Sequence, residues 1–278
     1  MFSRTQLGLA NEHLFYRVDY IVYCEGESPS QDVFSLDEAF WTKVFDAGAK
    51  SVRVKSVGSK TNAQPFIAGI CTGVLKNTIV AMDSDYAHCV GCAVDHPQVF
   101  YTRGYSWESD VVHQLDFERV LSLFCNVRDV SAAKSRFEKF IERNQRIFWR
   151  ACLVDMRYIS APTALFNRGK PASIIGADGD GFPRLGCDRL VAGARSLRGA
   201  STAPVSLPFD GPSNGLLYFY GKSTAKLIYQ WFVAYSSRVR GKRSVPFDAF
   251  MSILIELMDL KAGSSTRDVY YRRVVGRI

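Results

Sequence analysis

The sequence predicts an α/β fold: a mainly parallel sheet flanked by helices, followed by a basic, mostly helical C-terminal region. Three observations carry that prediction. Between residues 20 and 101, short apolar stretches of strand length alternate with stretches of helical periodicity, in the order strand, helix, strand, helix, strand, strand. Chains that alternate this way build parallel sheets with helices on their faces. From about residue 115 onward helical patterns take over. The charges separate along the same line: residues 1–126 hold 10 Lys/Arg and 15 Asp/Glu, whereas residues 127–278 hold 25 and 12. The expected division is an acidic, site-bearing domain over residues 1–125 and a basic domain over 126–278. A basic half of this kind suits a polyanion or an acidic protein partner.

Residues 1–19 read as a lead-in with a short helix or an edge strand. Tyr20–Cys24 is an apolar strand that ends at Glu25-Gly26-Glu27. Ser35-Leu-Asp-Glu38 is a capping box, and Leu36, Phe40, Val44 and Phe45 follow at helical spacing. A helix therefore starts there and runs to about Ala47-Gly48, where glycine ends it. Ser51–Val57 alternates as a strand, and Gly58-Ser-Lys60-Thr opens a turn before a helix over 63–73. Ile79–Met82 is a buried strand that stops at Asp83-Ser-Asp85, and Val99–Tyr101 is a fourth strand.

Between Asp129 and Trp149 apolar positions recur at helical spacing, and Arg136, Lys139, Arg143, Arg146 and Arg150 fall on one line of that helix. Glu138 and Glu142 can pair with some of them, so a solvated face and a nucleic-acid surface both remain open. Residues 158–215, rich in Gly, Pro, Ser and Ala, read as irregular with short elements. Asp178-Gly-Asp180-Gly resembles the start of a calcium loop but places Pro183 and Arg189 where glycine and glutamate are required. Two helices follow, one from about Lys222 with Leu227, Ile228, Trp231, Phe232 and Tyr235 on one face, the other from Pro246. The loop Arg238–Arg243 and the tail Arg267–Arg277 are basic.

With 47% hydrophobic and 13% aromatic residues over 278 positions, the chain can bury a sizeable core. No apolar run approaches the ~20 residues of a spanning helix, and the first residues lack the apolar core of a signal peptide. A cytoplasmic protein is expected. The seven cysteines are odd in number and scattered, which argues against a secreted disulfide framework. His88-Cys89-Val-Gly-Cys92 with His96 is a lone CxxC without a second cysteine pair, which favours reduced thiols over zinc.

The chemistry concentrates at the two strands that end in acids. In open α/β sheets ligands sit beyond the carboxyl ends of the strands. Acids after strands also occur as ordinary turn residues, but their recurrence at two strand ends in this order favours a ligand site. If the strands are parallel neighbours, Glu25, Asp83 and Asp85 meet at one edge, a donor set suited to Mg²⁺ or Mn²⁺. Glu25 then serves as ligand or general base, and Lys60 or Arg103 stabilises developing charge. Glu108, Asp37 and Glu38 are further acids, Glu38 already being explained by its cap. The four histidines lie near no nucleophile motif, and no dinucleotide fingerprint is present. Val54 and Ser59 stand where a Walker A loop needs glycine, so the chain is not an ATPase by itself. Metal-assisted phosphoryl transfer remains, against two alternatives: a phosphatase with Asp83 as nucleophile, and a non-catalytic interaction subunit.

The same residues resemble a known family. Glu25-Gly26 and Asp83-Ser-Asp85 at successive strand ends are similar to the Toprim domain of topoisomerases, primases and related nucleases. The fuller pattern resembles the DUF4435 family within that group: Phe40-Trp41 in the first helix, the Gly58-x-Lys60 turn, Asp83-Ser-Asp-Tyr86, Phe100-Tyr-Thr-x-Gly-Tyr-Ser-x-Glu108, and Tyr220-Gly-Lys222. The likeness is dense over 18–112 and thin after it. The segment Glu25-Gly-Glu-Ser28 followed by Ser35-Leu-Asp-Glu-x-Phe-Trp41, with the basic helical half, looks most like the Toprim nuclease effectors of PARIS antiphage systems. That resemblance implies a Toprim fold and a metal-dependent nuclease acting as a toxic effector. It also implies that a separate ABC-type ATPase holds the effector inactive until release, after which it dimerises and cuts host tRNA. Many Toprim domains carry an acid four residues after the first glutamate; here that position is Pro29, and the nearest acids are Asp32, Asp37 and Glu38.

Overall fold

The computed structural model describes residues 6–26, 33–125, 127, 130–206, 211–241 and 245–278. The chain divides into two compact units, each assembled from more than one stretch: residues 1–83, 94–103 and 255–278 in one, residues 84–93 and 104–254 in the other. A cut at 125/126 follows the charge, whereas this division follows packing, so residues 104–125 pack with the helical unit and 255–278 with the sheet unit.

The sheet unit is built on four strands, β1 (Tyr20–Cys24), β2 (Val52–Ser56), β3 (Thr78–Met82) and β4 (Val99–Tyr101), all parallel and ordered β2-β1-β3-β4. β3 is buried at every residue, and β1 from Ile21 to Cys24. Strands covered on both faces read as unbroken apolar runs, which is how these two appear in the sequence. Each fully buried Ile or Val contributes about 1.5–3 kcal/mol. The edge strand β2 buries only Val54 completely, in keeping with its alternating sequence.

The lead-in forms two short helices, α1 (Gln6–Ala10) and α2 (Glu12–Tyr16). Glu12 of α2 is buried and fastens it to the sheet, accepting from the Tyr23 hydroxyl at 2.5 Å and the Lys55 ammonium at 2.6 Å. The capping box at α3 (Leu36–Phe45) is present in full. Ser35 Oγ accepts the Glu38 amide at 3.1 Å, and Glu38 Oε2 accepts the Ser35 amide at 3.0 Å. Helix α4 (Lys60–Cys71) starts earlier than its apolar periodicity indicates, because Ser59 is extended and already holds the cap position.

The helical unit contains α5 (Trp107–His113), α6 (Phe117–Cys125), the 27-residue α7 (Ser131–Arg157), the hairpin β5 (Ile175–Ala177) and β6 (Pro183–Leu185), α8 (Cys187–Ser196), α9 (Gly215–Tyr218) and α10 (Gly221–Arg240). Phe117, Phe137, Trp231 and Phe232 form an aromatic core between α6, α7 and α10. Asp178 turns the hairpin, its Oδ1 accepting the amides of Asp180 at 3.0 Å and Phe182 at 2.8 Å. Helix α8 lies in the stretch expected to be irregular. Cys187, Leu190, Val191 and Ala194 stand on it at helical spacing, although only Leu190 is buried, and a side chain at Gly193 would run into the Leu165 carbonyl.

The helix from Pro246 is α11 (Phe247–Glu256), after which the chain rejoins the sheet unit as α12 (Thr266–Val275). The basic tail is thus a capped helix: Ser265 and Asp268 form a second capping box. Buried Tyr271 packs against Phe40 and Trp41, and the Tyr270 hydroxyl donates to the Tyr101 carbonyl at 2.9 Å, on the side of β4 facing away from β3. Among the described residues no helix is long and apolar enough to cross a membrane.

Candidate active site

In the sheet unit β1 and β3 are parallel neighbours, with Cys24 opposite Ala81. That register carries Glu25 and Asp83 out of the sheet at the same edge. The Asp83 amide donates to Glu25 Oε2 at 3.0 Å. Lys60, the first residue of α4, reaches the same place from β2: its ammonium lies 3.4 Å from the Asp83 carbonyl oxygen. Glu25, Asp83 and Lys60 are all half-buried.

Two glycines hold the acidic turn against the lysine turn. Gly26 and Gly58 exchange backbone hydrogen bonds, each of 2.9 Å, and have φ of 106° and 85°. Gly26 also has no room for a side chain, because a Cβ there would lie 2.7 Å from the Asp37 carboxylate. Asp37 therefore belongs to this turn. Glu38 does not act there, since its Oε1 accepts the Ser56 amide at 2.7 Å while Oε2 serves the cap. Burial, followed by the charge of Asp37, pushes the Cys24 thiol well above its ordinary range. Arg103 follows β4 with its amide donating to the Tyr271 hydroxyl at 3.4 Å. Glu27 and Asp32 lie outside the described residues.

Asp85 is the second residue of the helical unit. Asp85 and Tyr86 are consecutive non-glycine residues in the left-handed region, with φ of 43° and 68°. Such residues cost about 1–3 kcal/mol each and persist where surrounding contacts determine them. Here the Asp85 amide donates to the Tyr105 carbonyl at 2.9 Å, and the buried Tyr86 and Tyr105 rings meet edge to face at 4.7 Å. The Tyr105 hydroxyl bonds the Asp85 carboxylate, and burial together with the Asp85 charge pushes that phenol far up, so it stays protonated.

Glu108 is buried in the first turn of α5, where the Ser106 hydroxyl donates to its Oε2 at 2.5 Å. Burial raises its carboxyl, the Ser106 bond and Lys222 oppose that rise, and the charge of Asp85 adds to it. A Cβ at Gly221 would overlap the Ser106 hydroxyl and meet Glu108, so Glu108 closes against the first residue of α10. It serves there as a strut.

The basic line occupies α7. Lys139, Arg143, Arg146 and Arg150 are exposed; Arg136 pairs with Asp180 at 2.8 Å and covers the Phe182 ring at 4.1 Å. Arg146 and Glu142 are 4.0 Å apart and both exposed, a weak pair. Lys242 and Arg243 of the basic loop lie outside the described residues. The seven cysteines are free thiols, and burial raises Cys89.

Sequence reasoning missed a cation in the helical unit. Arg168 donates to buried Asp155 at 2.9 Å, and the charge of Arg168 is felt at Tyr105. No periodicity marks it, because its partner lies thirteen residues earlier on α7. Among the described residues no three His, Cys, Asp or Glu side chains are grouped to hold a metal ion unaided. Mg²⁺ is commonly held by one or two carboxylates, with water and phosphate oxygens completing its shell, and the hard oxygen donors of Glu25 and Asp83 fit that pattern. Comparison with protein-family models gives no match, and comparison with curated proteins gives none either.

Proposed function

We propose that the protein is a metal-dependent nuclease, a hydrolase of phosphodiesters built on a Toprim-like sheet. The observation that carries the reading is the meeting of Glu25, Asp83 and Lys60, from three separate strand ends, at the carboxyl edge of a parallel sheet. Glu25 and Asp83, with Asp85 two residues on, are the residues that would hold Mg²⁺ or Mn²⁺. When bound, such an ion polarises the scissile phosphate. The Lys60 ammonium places a positive charge where charge develops on phosphoryl oxygens. The exposed cations of α7 give the phosphates of a strand a line to follow.

The resemblance to the Toprim nuclease effectors of PARIS antiphage systems supports RNA, tRNA in particular, as substrate. It also supports an ABC-type ATPase as partner, an active homodimer and a role as antiphage effector. DNA is the alternative substrate. A second reading, a non-catalytic scaffold that docks on the ATPase, draws on the use of the Glu25 carboxylate as an acceptor for a backbone amide.

The test incubates purified wild-type and Glu25→Ala protein with total cellular RNA and with plasmid DNA, in Mg²⁺, Mn²⁺ or EDTA. Discrete RNA fragments that require both metal and Glu25 are expected. Cleavage that persists in Glu25→Ala overturns the proposed site. Absence of cleavage, with the ATPase and its trigger also supplied, leaves the scaffold.

A further inference from the structure

We infer that Arg168 is a phosphate-binding residue: its guanidinium, anchored by Asp155 beside Tyr105 and Tyr220, takes a phosphate-class anion on its unused donors. That this anion is the phosphodiester of a nucleic acid rests on the nuclease reading above; the anion site does not.

Arginine has five N–H donors in a planar fork that matches phosphate. Asp155, with 3% of its side chain exposed, occupies Nη2 at 2.9 Å. Nε is buried and has no hydrogen-bond partner among the described residues. A buried donor without an acceptor is costly, and an anion bound across the fork would satisfy it. The Arg168 side chain is 36% exposed, so a ligand reaches part of it, and reaches the buried Nε once the side chain shifts.

The surroundings hold the fork in place. The Tyr220 hydroxyl donates to the Arg168 carbonyl at 3.1 Å, and the guanidinium carbon lies 6.0 Å from the centre of the Tyr220 ring. The Tyr105 and Tyr220 rings meet at 5.4 Å. Burial raises both phenols, which stay protonated. Tyr86 and Arg168 share Asp155 Oδ2, with the tyrosine hydroxyl at 3.4 Å, so the anchoring carboxylate is itself fixed. Burial lowers Arg168, but the charge and hydrogen bond of Asp155 together with the neighbouring tyrosines outweigh it, leaving the guanidinium charged. Tyr105, within the field of Arg168, bonds Asp85, which brings this cation into the surroundings of a predicted site carboxylate.

The competing account is that Arg168 serves only to neutralise Asp155. Two variants of the full chain separate the two. Asp155→Asn combined with Arg168→Ala removes both charges and leaves no buried ion unpaired. Arg168→Lys keeps the ion pair and loses the fork. Binding of inorganic phosphate is measured by ³¹P NMR titration, alongside melting temperature and RNA cleavage. The double variant should keep a cooperative melt and bind phosphate about tenfold or more weakly, and Arg168→Lys several-fold more weakly. Wild-type phosphate affinity in both variants, or no phosphate binding by the wild type, overturns the inference. Phosphate binding that depends on Arg168 in a protein that cuts neither RNA nor DNA, with the ATPase and its trigger supplied, leaves the anion site standing and removes the nuclease reading. RNA cleavage and phosphate affinity both unchanged in the two variants do the reverse.

Discussion

Glu25 and Asp83 of the sheet unit are half-buried at strand ends, whereas Glu108 and Asp155 of the helical unit are only 4% and 3% exposed. The first pair is joined through a backbone amide, with a lysine at hand. Each of the second pair is fixed by a side chain, Ser106 for Glu108 and Arg168 for Asp155, and burial raises both. The same functional group thus occupies two physical settings. At the end of a buried strand the acid stays half-buried, and Glu25 accepts the backbone amide of the neighbouring strand's end. Inside a helical core an acid must be compensated, and its partners then position other groups.

The largest effect expected from this contrast is loss of function without loss of fold. Asp83→Asn should bring metal-dependent cleavage to background while stability changes by no more than about 1 kcal/mol, since no core packing is removed. Cleavage rates and thermal melts check this together. A collapse of the melting temperature would place Asp83 with the struts and erase the contrast.

Next in size is the cost of a buried strut. Burial holds the Glu108 carboxyl above its ordinary 4.5, with Ser106 and Lys222 opposing, so the folded state keeps this proton more tightly than the unfolded state. The stability it contributes is fully present below pH 4.5 and is lost as pH rises through the folded value. Glu108→Gln, which cannot ionise, should flatten the fall of melting temperature as pH rises above 4.5. Identical pH profiles for the two proteins would mean that Glu108 is not a buried, proton-retaining acid.

The smallest effect concerns the α7 cations. Arg143→Glu with Arg146→Glu should weaken RNA binding and flatten its salt dependence by about 0.7 for each phosphate no longer neutralised. Arg136, already engaged by Asp180 and Phe182, should matter less to binding and more to the hairpin. Unchanged binding in the double variant makes this face a solvated one.

What the sequence made legible was local. The runs at Ile79–Met82 and Tyr20–Cys24 stop at acids, and the Ser35–Glu38 box is complete within four residues. The adjacency of β1 and β3, a condition that the βαβ order left open, brings Glu25 to Asp83. What stayed hidden was set by distant partners. Arg168 is paired with Asp155, and Gly193 of α8 owes its lack of a side chain to the Leu165 carbonyl. The return of residues 255–278 to the sheet unit depends on Tyr271 meeting Phe40 and Trp41, residues more than two hundred positions away in the chain.

That return has a consequence for the order in which the protein comes into being. The outer carbonyl of β4 is covered by Tyr270, yet 169 residues separate Tyr101 from Tyr270. At ribosomal speeds of about 5–20 residues per second, the sheet waits on the order of ten to thirty seconds with that edge uncovered. An uncovered strand edge is a template for pairing with other nascent chains. With only three residues, β4 presents about the shortest edge a sheet can offer. Brevity guards the nascent chain until its last helix arrives to do so.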